Sequence, residues 1–400
     1  MGDYMKKRAF IALSLISFLF TSCAAVPQGV RDNADRYGSN SSKNKEEIEY
    51  CDIDELKKID MDNIEVPDAN IVFPEEVDFS DVESVYDLDL YFRSKSSMDT
   101  DSYANCFGMD EKLSCEHMEG VLKGDSGTVI KSQSGESLYI GDSGTISYIG
   151  KNYSYNDNSL QEVTSRKVYL KQGGSTEEMV TFPSGEVSLE QLIMDYETWF
   201  KESPMNYELK PEIRSAYIYK TPDGMDLVSM YGMLLLDGMP LDYYGGGKLE
   251  MVDGMYGKLM SINAYQQVVL SDQDVYDFYY LSEDYEVDNK SPLNQVVDFQ
   301  SAVNIVCEEM SGFNQLEIVE VEPVYVLSPE YDPTNNEYYA TAGNRVEATP
   351  VYSFMVRIGD TNDEVDNLYD RLESDEYCYI NVSMIDGSLS TNFAERGYNP

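Results

Sequence analysis

The sequence predicts an α+β fold, with a β-rich amino-terminal region followed by two units that each pair one helix with an antiparallel meander. Three observations carry this expectation. Two segments space their apolar residues as an amphipathic helix does, and each follows a capping residue. Between and after them run short β-branched and aromatic stretches punctuated by Asp-Gly pairs. The chain also carries 33 tyrosines in 400 residues, amphipathic bulk that suits half-buried strands.

The folded part reads from about Tyr50 onward. Residues 50–185 form a β-rich acidic domain in this reading. Its early part holds short helical candidates at Ile53–Ile59 and Val82–Phe92. Then Gly124-Asp125-Ser126-Gly127-Thr128-Val129-Ile130 is echoed by Gly141-Asp142-Ser143-Gly144-Thr145-Ile146-Ser147. Each copy is a turn followed by β-branched residues, as neighbouring antiparallel strands require. Arg166–Leu170 and Met179–Phe182 are further strand candidates.

Residues 186–285 make the first helix-plus-meander unit. Ser188-Leu189-Glu190-Gln191 is a capping-box pattern. Leu189, Leu192, Ile193, Tyr196, Trp199 and Phe200 share one helical face, and Pro204 stops the helix. Strands are expected at Ile213–Lys220, Leu227–Leu236, Leu249–Val252 and Lys258–Leu270, with turns at Asp223-Gly224, Asp237-Gly238 and Asp253-Gly254. Residues 286–400 repeat the plan. Asp298 caps a helix whose face is Phe299, Ala302, Val303, Val306, Cys307 and Met310. Strands follow at Leu316–Leu327, Val351–Ile358 and Tyr377–Ile385, and Asp386-Gly387 turns the chain. The polar stretch Ser328–Thr349 reads as a long loop.

Residues 1–22 are different in kind. Lys6, Lys7 and Arg8 precede an apolar run, Ala9–Phe20, that is too short to span a bilayer, which takes ~20 residues. It suits the apolar core of a signal peptide. Thr21-Ser22-Cys23 closes it, and this arrangement resembles the lipobox of bacterial lipoproteins. The resemblance implies cleavage before Cys23 and lipidation of its thiol, hence a protein held on the outer face of a Gram-positive cell membrane. A plain secretory signal is the alternative. Residues 23–49 then read as a flexible tether, rich in Asn, Asp, Ser and Gly with no apolar period.

The net charge is −44, which repels nucleic acid and anionic head groups. Nucleic acid is therefore excluded as a partner, and membrane contact falls to the lipid anchor. After Cys23 the cysteines are Cys51, Cys106, Cys115, Cys307 and Cys378. Their number is odd, so at least one thiol has no partner within the chain. Cys106 and Cys115 are near enough in sequence for a local disulfide, and Cys307 and Cys378 for a bridge if their helix packs on their strand. No C-x-x-C spacing supports a zinc or redox site.

The carboxy-terminal half resembles the PepSY-like regulatory proteins of Gram-positive cell envelopes, which are small α+β units that often occur in tandem. The residues that carry this are Phe299–Met310, Leu316–Leu327, Pro350-Val351-Tyr352-Ser353-Phe354, Tyr379-Ile380-Asn381-Val382 and Ile385-Asp386-Gly387-Ser388-Leu389. Leu236-Asp237-Gly238-Met239-Pro240-Leu241 is similar to the matching piece of an earlier copy. The resemblance covers roughly residues 186–400. It implies no catalytic residues and no cofactor, and a role in binding or regulation outside the membrane.

Catalytic readings are weaker. His117 is the single histidine, and it lies too close in sequence to the Gly-Asp-Ser-Gly copies at Ser126 and Ser143 for a trypsin-like arrangement. Asp52, Asp54, Asp60 and Asp62, and the pair Asp99 and Asp101, lack the spacing of a calcium loop, so no metal site is assigned. The expectation is a non-enzymatic, lipid-anchored protein that binds an envelope protein or peptide. The alternatives are a carboxylate-dependent envelope hydrolase and a solute-binding lipoprotein of a transporter.

Overall fold

In the computed structural model the described residues run from Ile48 to Thr391. They are interrupted at 93–98, 151–164, 170–175, 205–208, 221–225, 243–264, 271–277, 312–315, 333–336, 339–344 and 358–376, and at gaps of one to three residues. Cys23, the signal segment and nearly all of the tether lie outside them. So do Leu249–Val252, Asp223-Gly224 and Asp253-Gly254.

The elements follow one another as β1 (Tyr50–Cys51), α1 (Ile53–Leu56), a 3₁₀ turn at Met61–Asn63, β2 (Ile71–Val72), β3 (Tyr86–Phe92) and α2 (Thr100–Cys106). Then come β4 (Lys112–Leu122), β5 (Asp125–Ser132), β6 (Ser137–Gly141), β7 (Thr145–Ile149), β8 (Ser165–Tyr169), β9 (Met179–Phe182) and β10 (Gly185–Ser188). Helix α3 (Leu189–Glu202) leads to β11 (Lys210–Lys220), β12 (Asp226–Leu236), β13 (Met239–Asp242), β14 (Tyr265–Leu270), β15 (Phe278–Glu283), β16 (Tyr285–Pro292) and β17 (Val296–Val297). Helix α4 (Phe299–Glu309) precedes β18 (Leu316–Pro329), β19 (Tyr331–Asp332), β20 (Glu337–Tyr338), β21 (Arg345–Arg357), β22 (Tyr377–Ser383) and β23 (Leu389–Thr391). The fold is mixed and strand-dominated, consistent with the α+β expectation. No helix of the described residues is long and apolar enough to cross a membrane.

Two sheets organise Glu49–Tyr398, which forms one compact unit. The first is antiparallel, in the order β8-β11-β12-β14-β15-β7-β6-β5-β4. The second runs β16-β3-β21-β18, and β22 and β23 continue from the far half of β21. β18 also takes two short parallel neighbours on its outer edge, β2 and β13. β13 is shared, because it pairs with β12 as well. After α3 the chain runs β11, β12, β14, β15 as successive antiparallel neighbours, and after α4 it runs β18, β21, β22, β23 in the same way. Strands drawn from far apart in the sequence also pair: β3 with β16 and β21, β7 with β15, and β1 with β17.

Both long helices form where the apolar period places them. Ser188 Oγ accepts the Gln191 N–H at 3.1 Å, but the Gln191 amide turns forward to Asp195 (2.8 Å) and does not complete the capping box. α3 buries Leu189, Leu192, Tyr196 and Phe200, and ends at an extended Ser203, as the residue before proline must. Asp298 caps α4 through the Ser301 N–H and hydroxyl, both at 2.8 Å. Phe299, Ala302, Val303, Val306 and Cys307 of α4 enter the same core as Cys378, Ile380 and Val382 of β22. A dozen or so such side chains, at roughly 1.5–3 kcal/mol each, outweigh any intrinsic helix preference.

Two expectations are corrected. Val82–Phe92 is not helical. Leu88 and Leu90 are 1% and 0% exposed while Asp87 and Asp89 point away, the period of a strand, and β3 is paired on both edges. Ser328–Thr349 is not a simple loop. β18 and β21 extend into it as a long hairpin, with Pro329 opposite Val346, and β19 and β20 pair beyond.

The turn between β12 and β13 holds the sheets together. Asp237 and Gly238 both have positive φ, +48° and +85°, the conformation that a two-residue hairpin favours. Glu83 N–H donates to the Asp237 carbonyl (2.9 Å), and Lys290 of β16 reaches the Asp237 carboxylate at 3.1 Å while lying 4.4 Å over the Tyr86 ring. The Tyr86 N–H in turn donates to the buried Tyr325 hydroxyl of β18 (2.9 Å).

Candidate functional site

Aspartates near the amino terminus are used locally. Asp60 begins the 3₁₀ turn, its carboxylate accepting the Asp62 N–H (3.1 Å) and the Asn63 amide (2.9 Å). Asp99 caps α2 by accepting the Asp101 N–H and the Ser102 hydroxyl, at 3.1 and 2.7 Å. Asp54 pairs with Lys57 at 3.3 Å. Among the described residues no group of three or more metal-ligating side chains converges. The other sequence candidates are also separated. His117 is exposed on β4 opposite Thr128, Ser126 lies in β5, and Ser143 is outside the described residues.

The cysteines among the described residues, Cys51, Cys106, Cys115, Cys307 and Cys378, are unbridged. Cys106 closes α2 half-buried and Cys115 is exposed on β4, so the local disulfide considered for this pair is not formed. Cys307 and Cys378 share the buried core without bonding to each other. Burial pushes the Cys106 thiol up to about 12. Burial, with Asp298, Glu55 and Asp52, pushes Cys51 up to about 11. Neither is a nucleophile at neutral pH.

Among the described residues the fold builds a groove of about 550 Å³ from three separate pieces of chain. Ile59, Asp60 and Met61 at the 3₁₀ turn make one wall, Glu75–Asp78 another, and Val319–Glu322 of β18 the floor. Each piece is fixed from behind. The Gln300 amide of α4 clamps the Glu65 backbone in both directions, at 2.8 and 2.7 Å. The Glu75–Asp78 span hangs between two aromatic anchors. Phe73 packs edge-on to Phe354 at 6.1 Å, and Phe79 lies 5.5 Å from Phe299 and 5.9 Å from Tyr352. In β18 a bulge at Val319 breaks the register with β21 and turns the strand locally.

The floor lies along an interrupted sheet edge. β18 meets β2 at Leu316 and Glu317 and β13 at Tyr325 and Val326. Between them, among the described strands, it pairs only with β21. The bulge, two glutamates and Pro323 are the devices that keep such an edge from recruiting a foreign strand. Recognition here therefore falls to side chains.

Those side chains are of two kinds. Ile59, Met61, Val77, Val319 and Val321 supply an apolar lining. Asp60, Glu75, Glu76, Asp78, Glu320 and Glu322 surround it with carboxylates. The Ser80 backbone N–H, with the Ser80 side chain, holds the Asp78 carboxyl below its ordinary value, so it stays ionised. Glu322 is committed elsewhere. Arg214 is the extra residue of a bulge in β11; it pairs with Glu212 of its own strand (2.5 Å) and crosses to Glu322 of β18 in the other sheet (2.7 Å). Burial alone would lower the Arg214 pKa. The attraction of Glu322 and Glu212 more than reverses that, and the guanidinium is held charged. On α3, burial and then the charge of Glu212 raise the Glu197 carboxyl. No motif in the sequence pointed to this groove, whose lining runs from Ile59 to Glu322, 263 residues apart.

No protein-family model and no curated protein matches the chain. Among solved structures it is similar to an uncharacterized protein from Eubacterium rectale ATCC 33656. The TM-score is 0.48 and the identity 11%, over 81% of this chain and 91% of that one.

Proposed function

We infer that the protein is a lipid-anchored, extracytoplasmic binding or regulatory protein with tandem PepSY-like units, acting by non-catalytic contact with an envelope protein or peptide. The observation that carries this reading is the groove. Its carboxylates are interspersed with apolar side chains and do not converge on one point, an arrangement suited to holding an extended surface rather than a metal ion or a reacting bond. The lipobox-like Cys23 supports the location. The antiparallel runs that follow α3 and α4 support the two PepSY-like units.

The test is photo-crosslinking on intact cells with the reactive group at Val77. One specific envelope partner is expected, and it should be lost when the group is moved to Met194 on the outer face of α3. The Cys23→Ala chain should leave the membrane fraction. Turnover of a glycan or peptide by the purified mature protein, abolished by one Asp or Glu substitution, would replace this reading with a hydrolase.

A further inference from the structure

The geometry points to a particular occupant for the groove: a peptide segment that presents Lys or Arg side chains alternating with aliphatic ones. This rests on the contact-binding reading above and gives it a chemistry.

The charge is set by what the groove leaves unneutralised. Glu75 and Glu76 are exposed and take part in no ion pair among the described residues. Asp60 and Asp78 have backbone partners, Asp62 and Ser80, that orient them without cancelling their charge. Glu322 has its cation built in, because Arg214 approaches it from the far sheet. An anionic or neutral segment would add repulsion or bury these carboxylates without compensation.

The shape excludes a simple ion. Among the described residues no three carboxylates come together as ligands, and the acidic groups are spread over two walls and the floor. Several separated cationic groups on one molecule are needed to meet them. The half-buried Ile59, Met61 and Val77 lie among those carboxylates, and burying them is the favourable term that a purely hydrophilic polycation would leave unused. A strand alternating basic and aliphatic residues meets both demands, because successive side chains point to opposite faces and long basic side chains reach outward along apolar surface.

The groove is also held in shape before anything binds. The anchors at Phe73 and Phe79 and the Gln300 clamp fix its walls. Little ordering cost therefore falls on binding.

The experiment is fluorescence anisotropy with the full mature chain and three labelled peptides of equal length: Lys/Val alternating, Lys/Ser alternating and Glu/Val alternating. The Lys/Val peptide is expected to bind, with the other two at least about tenfold weaker. Glu75→Gln with Glu76→Gln should weaken Lys/Val binding about fivefold or more. Glu308→Gln with Glu309→Gln, an equal change of charge on exposed α4 residues outside the groove, should leave it unchanged. Val77→Ser tests the apolar lining without changing charge and should also weaken binding, with circular dichroism confirming the fold.

Equal losses in the two glutamate pairs would overturn the inference, since they would report only the field of a highly acidic protein. Equal binding of the Lys/Ser peptide, or displacement by spermidine at the same concentration, would overturn it in favour of a polycation site. If the cell-surface partner is captured but is indifferent to Glu75 and Glu76, the groove assignment fails and contact binding stands. If no partner and no peptide binds, both fail.

Discussion

The Tyr86 hydroxyl donates to the Asp237 carboxylate at 2.5 Å, joining residues 151 positions apart. This contact sets the β12–β13 turn against β3. Burial on its own would raise the Asp237 pKa. The bonds from Tyr86 and Lys290 outweigh that, and its carboxyl is held below the ordinary range. A carboxyl depressed in the folded state contributes stability above its unfolded pKa of ~3.9, and this contribution is lost as pH falls through the lower folded value. Asp237→Asn tolerates the left-handed backbone. It should cost about 1–2 kcal/mol at pH 7, and its deficit relative to wild type should shrink below about pH 4. Urea titrations across pH 3–7 measure both.

The next residue gives a sharper steric test. A Cβ on Gly238 would lie 1.8 Å from the Asp81 carbonyl oxygen, which is backbone and cannot swing aside. Gly185 also has a left-handed φ, +136°, but nothing within 4 Å of the added atom. Gly238→Ala should destabilise by about 2–4 kcal/mol. Gly185→Ala should cost only about 1 kcal/mol of backbone strain. Similar midpoints for the two variants would contradict the close approach at Gly238.

Arg214→Ala removes the cation that pairs with both Glu212 and Glu322, whose side chains are less than a quarter exposed. Such losses typically cost about 3–5 kcal/mol. Replacing all three residues by packed apolar ones should recover most of that. Denaturant midpoints with an unchanged slope are the expected signature.

Thiol labelling separates the cysteines. Cys115 is exposed on β4, whereas Cys51 and Cys106 are part-buried with raised pKa values and Cys307 and Cys378 are buried. At pH 7.5 one fast-reacting thiol is expected in the native folded unit, and Cys115→Ser should abolish that phase. A native mass consistent with a Cys106–Cys115 bridge, and no fast phase, would contradict the free pair.

Much of the local structure is legible from residue order. The caps of α3 and α4 are short-range chemistry, β9 lies where its alternation puts it, and Asp237-Gly238 is a turn because few other pairs accept two positive φ angles. β3 was misread because Val82, Val85, Leu88 and Phe92 also fit a helical spacing, and only pairing with β16 and β21 decides between the periods. α2 escaped notice because seven residues with two buried side chains carry too little periodicity. The groove could not be read at all. It exists because the parallel contact of β2 with β18 brings residues near 75 beside residues near 320, and non-local pairing leaves no spacing signature in the chain.

The pairing of Tyr50 with Val297 and of Tyr86 with Pro292 has a kinetic meaning. Contacts that span most of the polypeptide make folding slow, since chain closure is costly before it is rewarded. A chain emerging from its amino-terminal end has β3 before β16 or β21 and β2 before β18, so these strands have no partner until the second half is made. Folding of the amino-terminal strands must wait for β16, β18 and β21, so their edges stay open until more than three quarters of the polypeptide has been made.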